Sequence, residues 1–169
     1  MTTFNKMDHS CTPEWVRKSF FKEEEFDKKL NLACGADYLS GWVNLDGDIN
    51  VTADIHHDLD DPDLLLPFPN QEFDLIYASH ILEHITYIKP LKKELMRILK
   101  PGGTLIVVVP YYLSPDAWGD DTHVRAFSIH SFMPTYWPHP GEMRVKIIDG
   151  KDPYDYDIQW LVADIKRGN

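Results

Sequence analysis

The run Thr104–Val109, TLIVVV, constrains this chain more than any other stretch. It has no polar face, so both sides of the strand it forms must be covered, and its β-branched residues suit a pleated backbone. Such strands lie inside parallel sheets, whose neighbours are joined by a crossover, usually a helix. The sequence supplies that helix just upstream. Over Tyr87–Lys100, Ile88, Leu91, Leu95, Ile98 and Leu99 recur at helical spacing, with Lys92, Lys93 and Arg97 on the other side, and Pro101-Gly102-Gly103 stops it. Phe73–Ser79, FDLIYAS, precedes it as a second buried strand with one early acid. Strand, helix and strand make a right-handed βαβ unit, and the fold class is α/β.

Further upstream, Leu30–Asp46 reads as a strand entering a small-residue turn (Cys34-Gly35-Ala36-Asp37), then a second strand over Trp42–Asp46 that ends in a carboxylate. This is the order of parts that holds a nucleoside: a turn that lets the ligand approach the backbone, and an acid for two ribose hydroxyls. Val51–Leu59 forms a third short extended piece, and DDPDLLLPFPNQE is a loop broken by Pro62, Pro67 and Pro69. Pro13–Lys29 predicts one amphipathic helix with Thr12 as N-cap. After Pro110 the chain is irregular and aromatic, with a short helix that Ser128 caps. Arg144–Asp149 and Asp157–Lys166 predict an antiparallel hairpin on the sheet edge.

At 169 residues the chain suits one domain, and its 43% hydrophobic and 26% charged residues are those of a soluble globular protein. A net charge of −10, from 17 Lys and Arg against 27 Asp and Glu, argues against a nucleic-acid substrate. No apolar run approaches a membrane span, so no membrane partner is expected. The N-terminus lacks a signal-peptide pattern, and Cys11 and Cys34 make no disulfide framework, so a cytoplasmic protein is expected.

Five segments in order, LNLACG (30–35), GWVNLD (41–46), ADIHHDL (53–59), LPFPNQEFDLIYASHILEHI (66–85) and LMRILKPGGTLIVVVP (95–110), resemble the class I S-adenosylmethionine-dependent methyltransferases, in the small group with a compressed first motif. The resemblance implies a Rossmann-like, seven-stranded, mostly parallel sheet with helices on both faces and its last strand inserted antiparallel. It implies a single domain over residues 1–169: an N-terminal helical segment (1–28), a cofactor-binding part (29–110) and an acceptor side (111–169). It also implies S-adenosylmethionine as cofactor, with Asn31, Ala33, Cys34 and Gly35 in the cofactor loop and Asp46 on the ribose. Asp58 and Leu59 would meet the adenine, and Ser79 and His80 would stand where methyl donor meets acceptor. The sequence departs from the pattern twice. Ala33 occupies the place of the usual first loop glycine, which requires it to keep a negative φ. Asp46 follows Gly35 by eleven residues, too few for a full crossover helix, so a turn is expected there.

Methyl transfer from a sulfonium is an in-line displacement in which the protein supplies alignment and, for a hydroxyl acceptor, a base. Base candidates cluster after FDLIYAS and after TLIVVV: His84 first, then His123, with Glu83, and His80, Asp120 and Asp121 nearby. His80-Ile-Leu-Glu83-His84 also spells H-x-x-E-H, a zinc-peptidase motif that needs a helix under it. A strand before His80 argues against that helix. No metal site is assigned, although Asp116, Asp120, Asp121 and His123 could assist an O-methyl transfer. Tyr111, Tyr112, Trp118, Phe127, Phe132, Tyr136 and Trp137, with the N-terminal helix, are expected to wall a small-molecule pocket. A homodimer contact is the other use for such aromatics. The N/D-P-P-Y/F sequence of amino-methylating enzymes is absent, which leans the acceptor toward oxygen. Rival readings are a non-catalytic S-adenosylmethionine-binding module, an aminopropyl transferase and a zinc-dependent hydrolase through His80, Glu83 and His84.

Overall fold

The computed structural model describes Lys18 and residues 21–151 and 157–168. They form a seven-stranded sheet in the order β3-β2-β1-β4-β5-β7-β6. The strands are β1 (Lys29–Leu32), β2 (Val43–Asp46), β3 (Ile55–His56), β4 (Phe73–Ser79), β5 (Leu99–Pro110), β6 (Pro140–Lys151) and β7 (Asp157–Arg167). The first five are parallel, and β7 runs antiparallel between β5 and β6. The expected α/β architecture, the terminal hairpin and the antiparallel insertion are all present.

The buried strands alternate between two cores, as the two-residue period of a strand requires. Ile76 and Ala78 of β4, Leu105, Val107 and Val109 of β5 and Leu161, Ala163 and Ile165 of β7 join one cluster. Leu75 and Tyr77, Ile106 and Val108, and Trp160 and Val162 join the other. Helix α1 (Ile88–Ile98) covers the first face through the fully buried Leu91, Leu95 and Ile98. Among the described residues the second face is covered by Phe21, Phe26, Leu39 and Trp42.

Three local expectations are corrected. The helix over Pro13–Lys29 lies largely outside the described residues, where Lys18 is helical. From Phe21 on it is replaced by extended chain with one 3-10 turn, Glu23–Glu25, and Lys29 already opens β1. Packing explains the change: Phe21 meets Trp42 and Tyr77 with ring centroids 5.9 and 6.2 Å away, and the Trp42 indole N–H donates to Glu23 at 3.0 Å. Arg97 and Lys92 are not on a solvated side of α1. Arg97 donates to Glu94, to the Leu66 and Phe68 carbonyls and to Asn70, pinning the proline-rich loop to the helix, and Lys92 lies 4.4 Å over the Trp137 ring. The helix ends at Ile98 and β5 opens at once at Leu99; Gly103 lies within β5, where its register against β4 shifts. A Cβ there would sit 2.8 Å from the Lys100 carbonyl and 3.1 Å from that of Asp74. No helix among the described residues is long and apolar enough to cross a membrane.

Candidate active site

The connection from β1 to β2 carries no helix, and Asn44 holds its turns in place. This fully buried side chain accepts from the Leu39 N–H (2.9 Å) and from Asn31 Nδ2 (3.1 Å) and donates to the carbonyls of Leu39 (3.0 Å) and Trp42 (3.3 Å) and to Asp54 (3.1 Å). Asn31 also donates to the Asp37 carbonyl at 2.7 Å. Two asparagines thus satisfy the backbone groups that a helix would have satisfied internally.

The turn itself does not keep a negative φ at Ala33, as expected from its missing glycine. Ala33 has φ +54° and Gly35 +52°, and across the site His80 has +51°. The left-handed conformation costs an L-residue about 1–2 kcal/mol, and such residues persist where their surroundings over-determine them. Here the surroundings are hydrogen bonds. The Cys34 N–H donates to the Leu45 carbonyl (3.0 Å), the Gly35 N–H to Asp46 Oδ2 (2.8 Å) and the His80 N–H to the Val108 carbonyl (2.9 Å). Asp46 Oδ1 accepts from the Asp48 N–H at 2.8 Å, so the carboxylate is fixed at both oxygens.

These elements border a cavity of about 260 Å³ lined by Asn31, Ala33, Cys34, Gly35, Asp46, Ser79 and His80, all expected from the sequence, and by Asp37, Tyr77 and Ile81, which were not. Tyr77 and Ile81 flank the expected pair at the end of β4, and the alternation of β4 was a signal for Tyr77. Asp58 and Leu59 do not line it. Asp58 accepts from the Asp60 N–H (2.9 Å), and Leu59 is buried in the core. Cys34 is buried, and burial first, then the charge of Asp46, pushes its thiol up to about 11.

A second constellation follows His80. Residues 81–84 form a turn, with the His84 N–H donating to the Ile81 carbonyl at 3.0 Å, so H-x-x-E-H has no helix under it and the peptidase geometry is absent. Instead, Glu83, His84 and His123 come together, each offering a ligand atom within 4.8 Å of the others. The loop after β5 is drawn in by the Val124 N–H, which donates to the Glu83 carbonyl at 2.9 Å. His84 and His123 meet edge to face with centroids 4.7 Å apart.

Hydrogen bonding sets the tautomer of His84. Thr122 Oγ1 donates to Asp120 Oδ1 at 2.6 Å, and its one proton is thereby used. His84 Nδ1, 2.9 Å from the same oxygen, must then carry a proton, which leaves the lone pair on Nε2. Burial holds the His84 pKa below the ordinary histidine value; Glu83 opposes this and His123 adds to it. Thr122 was missed in the sequence, although D-x-T directly before a histidine is a local hydrogen-bonding pattern. Asp120 lies 3.9 Å from His123 Nε2, whereas Asp121 has no part in the constellation.

The aromatic stretch divides between core and cavity. Phe127, Phe132 and Trp137 are buried and pack on one another, with Phe132 and Trp137 stacked at 5.9 Å. Tyr111, Tyr112 and Trp118 border a cavity of about 470 Å³, and Tyr136 and one edge of Trp137 border another of about 700 Å³ with Lys92 and Arg125.

The model of a family described as "Methyltransferase domain" matches residues 30–107. The chain spans about a fifth of the length of the first curated relatives it matches. One is the ubiquinone/menaquinone biosynthesis C-methyltransferase UbiE of Neisseria gonorrhoeae, 46% identical over 43 residues that make up 25% of this chain and 18% of that protein. Among solved structures, an S-adenosylmethionine-dependent methyltransferase of Thermotoga maritima superposes with a TM-score of 0.70 at 15% identity, covering 90% of this chain and 86% of the other. The N-methyltransferase NodS of Bradyrhizobium japonicum, in complex with S-adenosyl-L-homocysteine, gives 0.62 at 15% identity, covering 85% and 79%. Residues 30–107 are thus similar to a methyltransferase domain, and the sheet has the fold of S-adenosylmethionine-dependent methyltransferases.

Proposed function

We propose that this chain transfers the methyl group of S-adenosylmethionine to an oxygen of a small-molecule acceptor. The observation that carries the donor half is Asp46. Its carboxylate borders the cavity beside the left-handed turn at Ala33 and Gly35, with both oxygens oriented by backbone N–H groups and a lone pair on each left for a ribose hydroxyl. The residues therefore fit the donor. Asp46 would hold its ribose, and the Ala33–Gly35 turn would approach it by backbone. When bound, the donor supplies an electrophilic methyl on a sulfonium.

The acceptor half rests on the Glu83–His84–His123 constellation. A hydroxyl must lose its proton as it attacks, and the Nε2 lone pair of His84, kept free by the Thr122–Asp120 relay, would take it. Glu83 then stabilises the imidazolium that forms. The activities named for UbiE and NodS are C- and N-methylation, so the choice of oxygen comes from this chain's own constellation and not from its relatives.

The test is direct. S-adenosylmethionine and S-adenosylhomocysteine should each raise the melting temperature while NAD does not, because only a ligand of the native state stabilises it. If neither raises it, the donor half fails. His84→Ala should leave donor binding intact and slow turnover of a hydroxyl acceptor by about 100-fold or more. Unchanged turnover would sink the acceptor half alone.

A further inference from the structure

We propose that Glu83, His84 and His123 form a binding site for one divalent transition-metal ion of the zinc, cobalt or nickel class. Glu83 is the starting observation. It is 1% exposed, and neither of its carboxylate oxygens has a hydrogen-bond partner. A carboxylate withdrawn from water without partners is costly and calls for a cation. The neighbouring imidazole of His80, with Nδ1 3.3 Å from Glu83 Oε1, compensates it only when protonated.

Two imidazoles each bring a ring nitrogen within 4.8 Å of the other's and of a Glu83 carboxylate oxygen. The relay from His84 Nδ1 through Thr122 to Asp120 leaves Nε2 of His84 its lone pair. His123 Nδ1 lies 3.4 Å from the Ala117 carbonyl; donating there, it leaves the lone pair on Nε2. A ligating histidine characteristically gives its other N–H to a carbonyl or to a hydroxyl and carboxylate relay, so the outer partners of a metal site are already in place. Two imidazoles and a carboxylate are the protein donor set of open zinc sites and their cobalt and nickel equivalents. A tetrahedral ion sets its ligands roughly 3.3–3.6 Å apart, given metal–ligand bonds of about 2.0–2.2 Å. The ligand atoms, within 4.8 Å of one another, would be drawn closer by a bound ion.

The inference rests on the methyl-transfer reading only for the ion's use. An acceptor oxygen completing the coordination would lose its proton under the ion's charge, and His84 would then serve as a ligand instead of the base. Binding itself needs no acceptor.

The experiment uses the untagged full chain stripped with a chelator. Zinc is titrated against a chromophoric chelator, and cobalt is added separately and followed by its visible d–d absorption. One ion per chain is expected, with tetrahedral or five-coordinate cobalt bands. His84→Ala and His123→Ala should each weaken zinc binding by about 100-fold, and Thr122→Val, which removes only an outer partner, by about 10-fold. His130→Ala, on the exposed 3-10 turn, should change nothing. Glu83→Gln keeps the shape of the side chain and should weaken binding without unfolding the protein, as circular dichroism checks. Absence of stoichiometric binding by the folded chain, or binding that survives both histidine substitutions, overturns the proposal. Donor binding is measured on the same preparations: a chain that binds S-adenosylmethionine but no metal refutes this inference alone, and one that binds metal but no donor refutes the methyl-transfer reading alone.

Discussion

Asn44→Ala removes the brace that stands in for a crossover helix between β1 and β2. The side chain makes five polar contacts in a fully buried position. Its amide has two hydrogens, so the donor contacts are shared and the set amounts to four full bonds, each worth about 1 kcal/mol net. Water entering the space recovers part of this, and the expected loss of stability is about 3–4 kcal/mol. For a chain of this size that corresponds to a melting temperature lower by roughly 6–16 °C. Urea unfolding followed by circular dichroism measures it, with an unchanged m-value as the sign that only stability has moved. Asn44→Asp should cost more, because it places a second carboxylate where the amide now donates to Asp54. Donor binding should weaken with stability, since the brace reaches the cavity through Asn31, which lines it. A loss below about 1 kcal/mol would show that the brace is redundant. A full loss of stability with unchanged donor affinity would refute the link from brace to cavity.

Other outcomes follow from the same geometry. Asp46→Ala should weaken S-adenosylmethionine binding by about 100-fold or more, as two hydrogen bonds to a charged group are lost. Calorimetric titration checks it, with Asp46→Asn as the variant that preserves the shape of the loop, and normal binding by both would place the ribose elsewhere. Glu94 accepts from the Leu66 N–H and from Arg97; burial raises its pKa, but these partners outweigh it and hold it below the usual glutamate value. Its contribution is therefore present above the unfolded value near 4.5 and lost as pH falls through the lower folded value. Glu94→Gln should cost about 2 kcal/mol at pH 7 and progressively less toward pH 3.5; a cost that does not change with pH would contradict the ion pair. Cys34, with its thiol near 11, should alkylate at pH 8 about 200-fold more slowly than an ordinary cysteine, read by peptide mass mapping. Asp46→Asn should speed that reaction by removing the second cause of the shift, and an unchanged rate would argue against it.

The sheet was largely legible in the sequence because its strands obey simple periodicities. Phe73–Ser79 is the observed β4 to the residue, and TLIVVV is buried on both faces as its composition demands. The places where reading failed are those decided by distant partners. Nothing local in Phe21–Lys28 says that Phe21 will be held against Trp42 and Tyr77, so helical propensity prevailed on paper and lost in the fold. Arg97 reads as a solvated helix residue until the carbonyls of Leu66 and Phe68 are brought to it. Ala33 breaks a backbone preference at the cavity, where hydrogen bonds from later strands impose its φ. In the candidate site, His84, His123 and Glu83 could be named by residue type, but their meeting depends on the Val124 N–H reaching back some forty residues to Glu83.

The place of β7 between β5 and β6 has a consequence for the chain as it is made. When Val109 leaves the ribosome, β5 can pair with β4 on one side, but its other edge waits for Leu161 and its neighbours, about fifty residues later. At about 5–20 residues per second that is a delay of several seconds during which the most apolar strand of the protein offers open backbone to any passing strand. The long β6–β7 hairpin, whose strands register with each other and whose β7 registers with β5, closes that edge in one docking event. Newly made chains should therefore lean on holding chaperones mainly in this interval. Lesions in the hairpin should reduce yield through aggregation of the nascent chain before they reduce the stability of the molecules that finish folding.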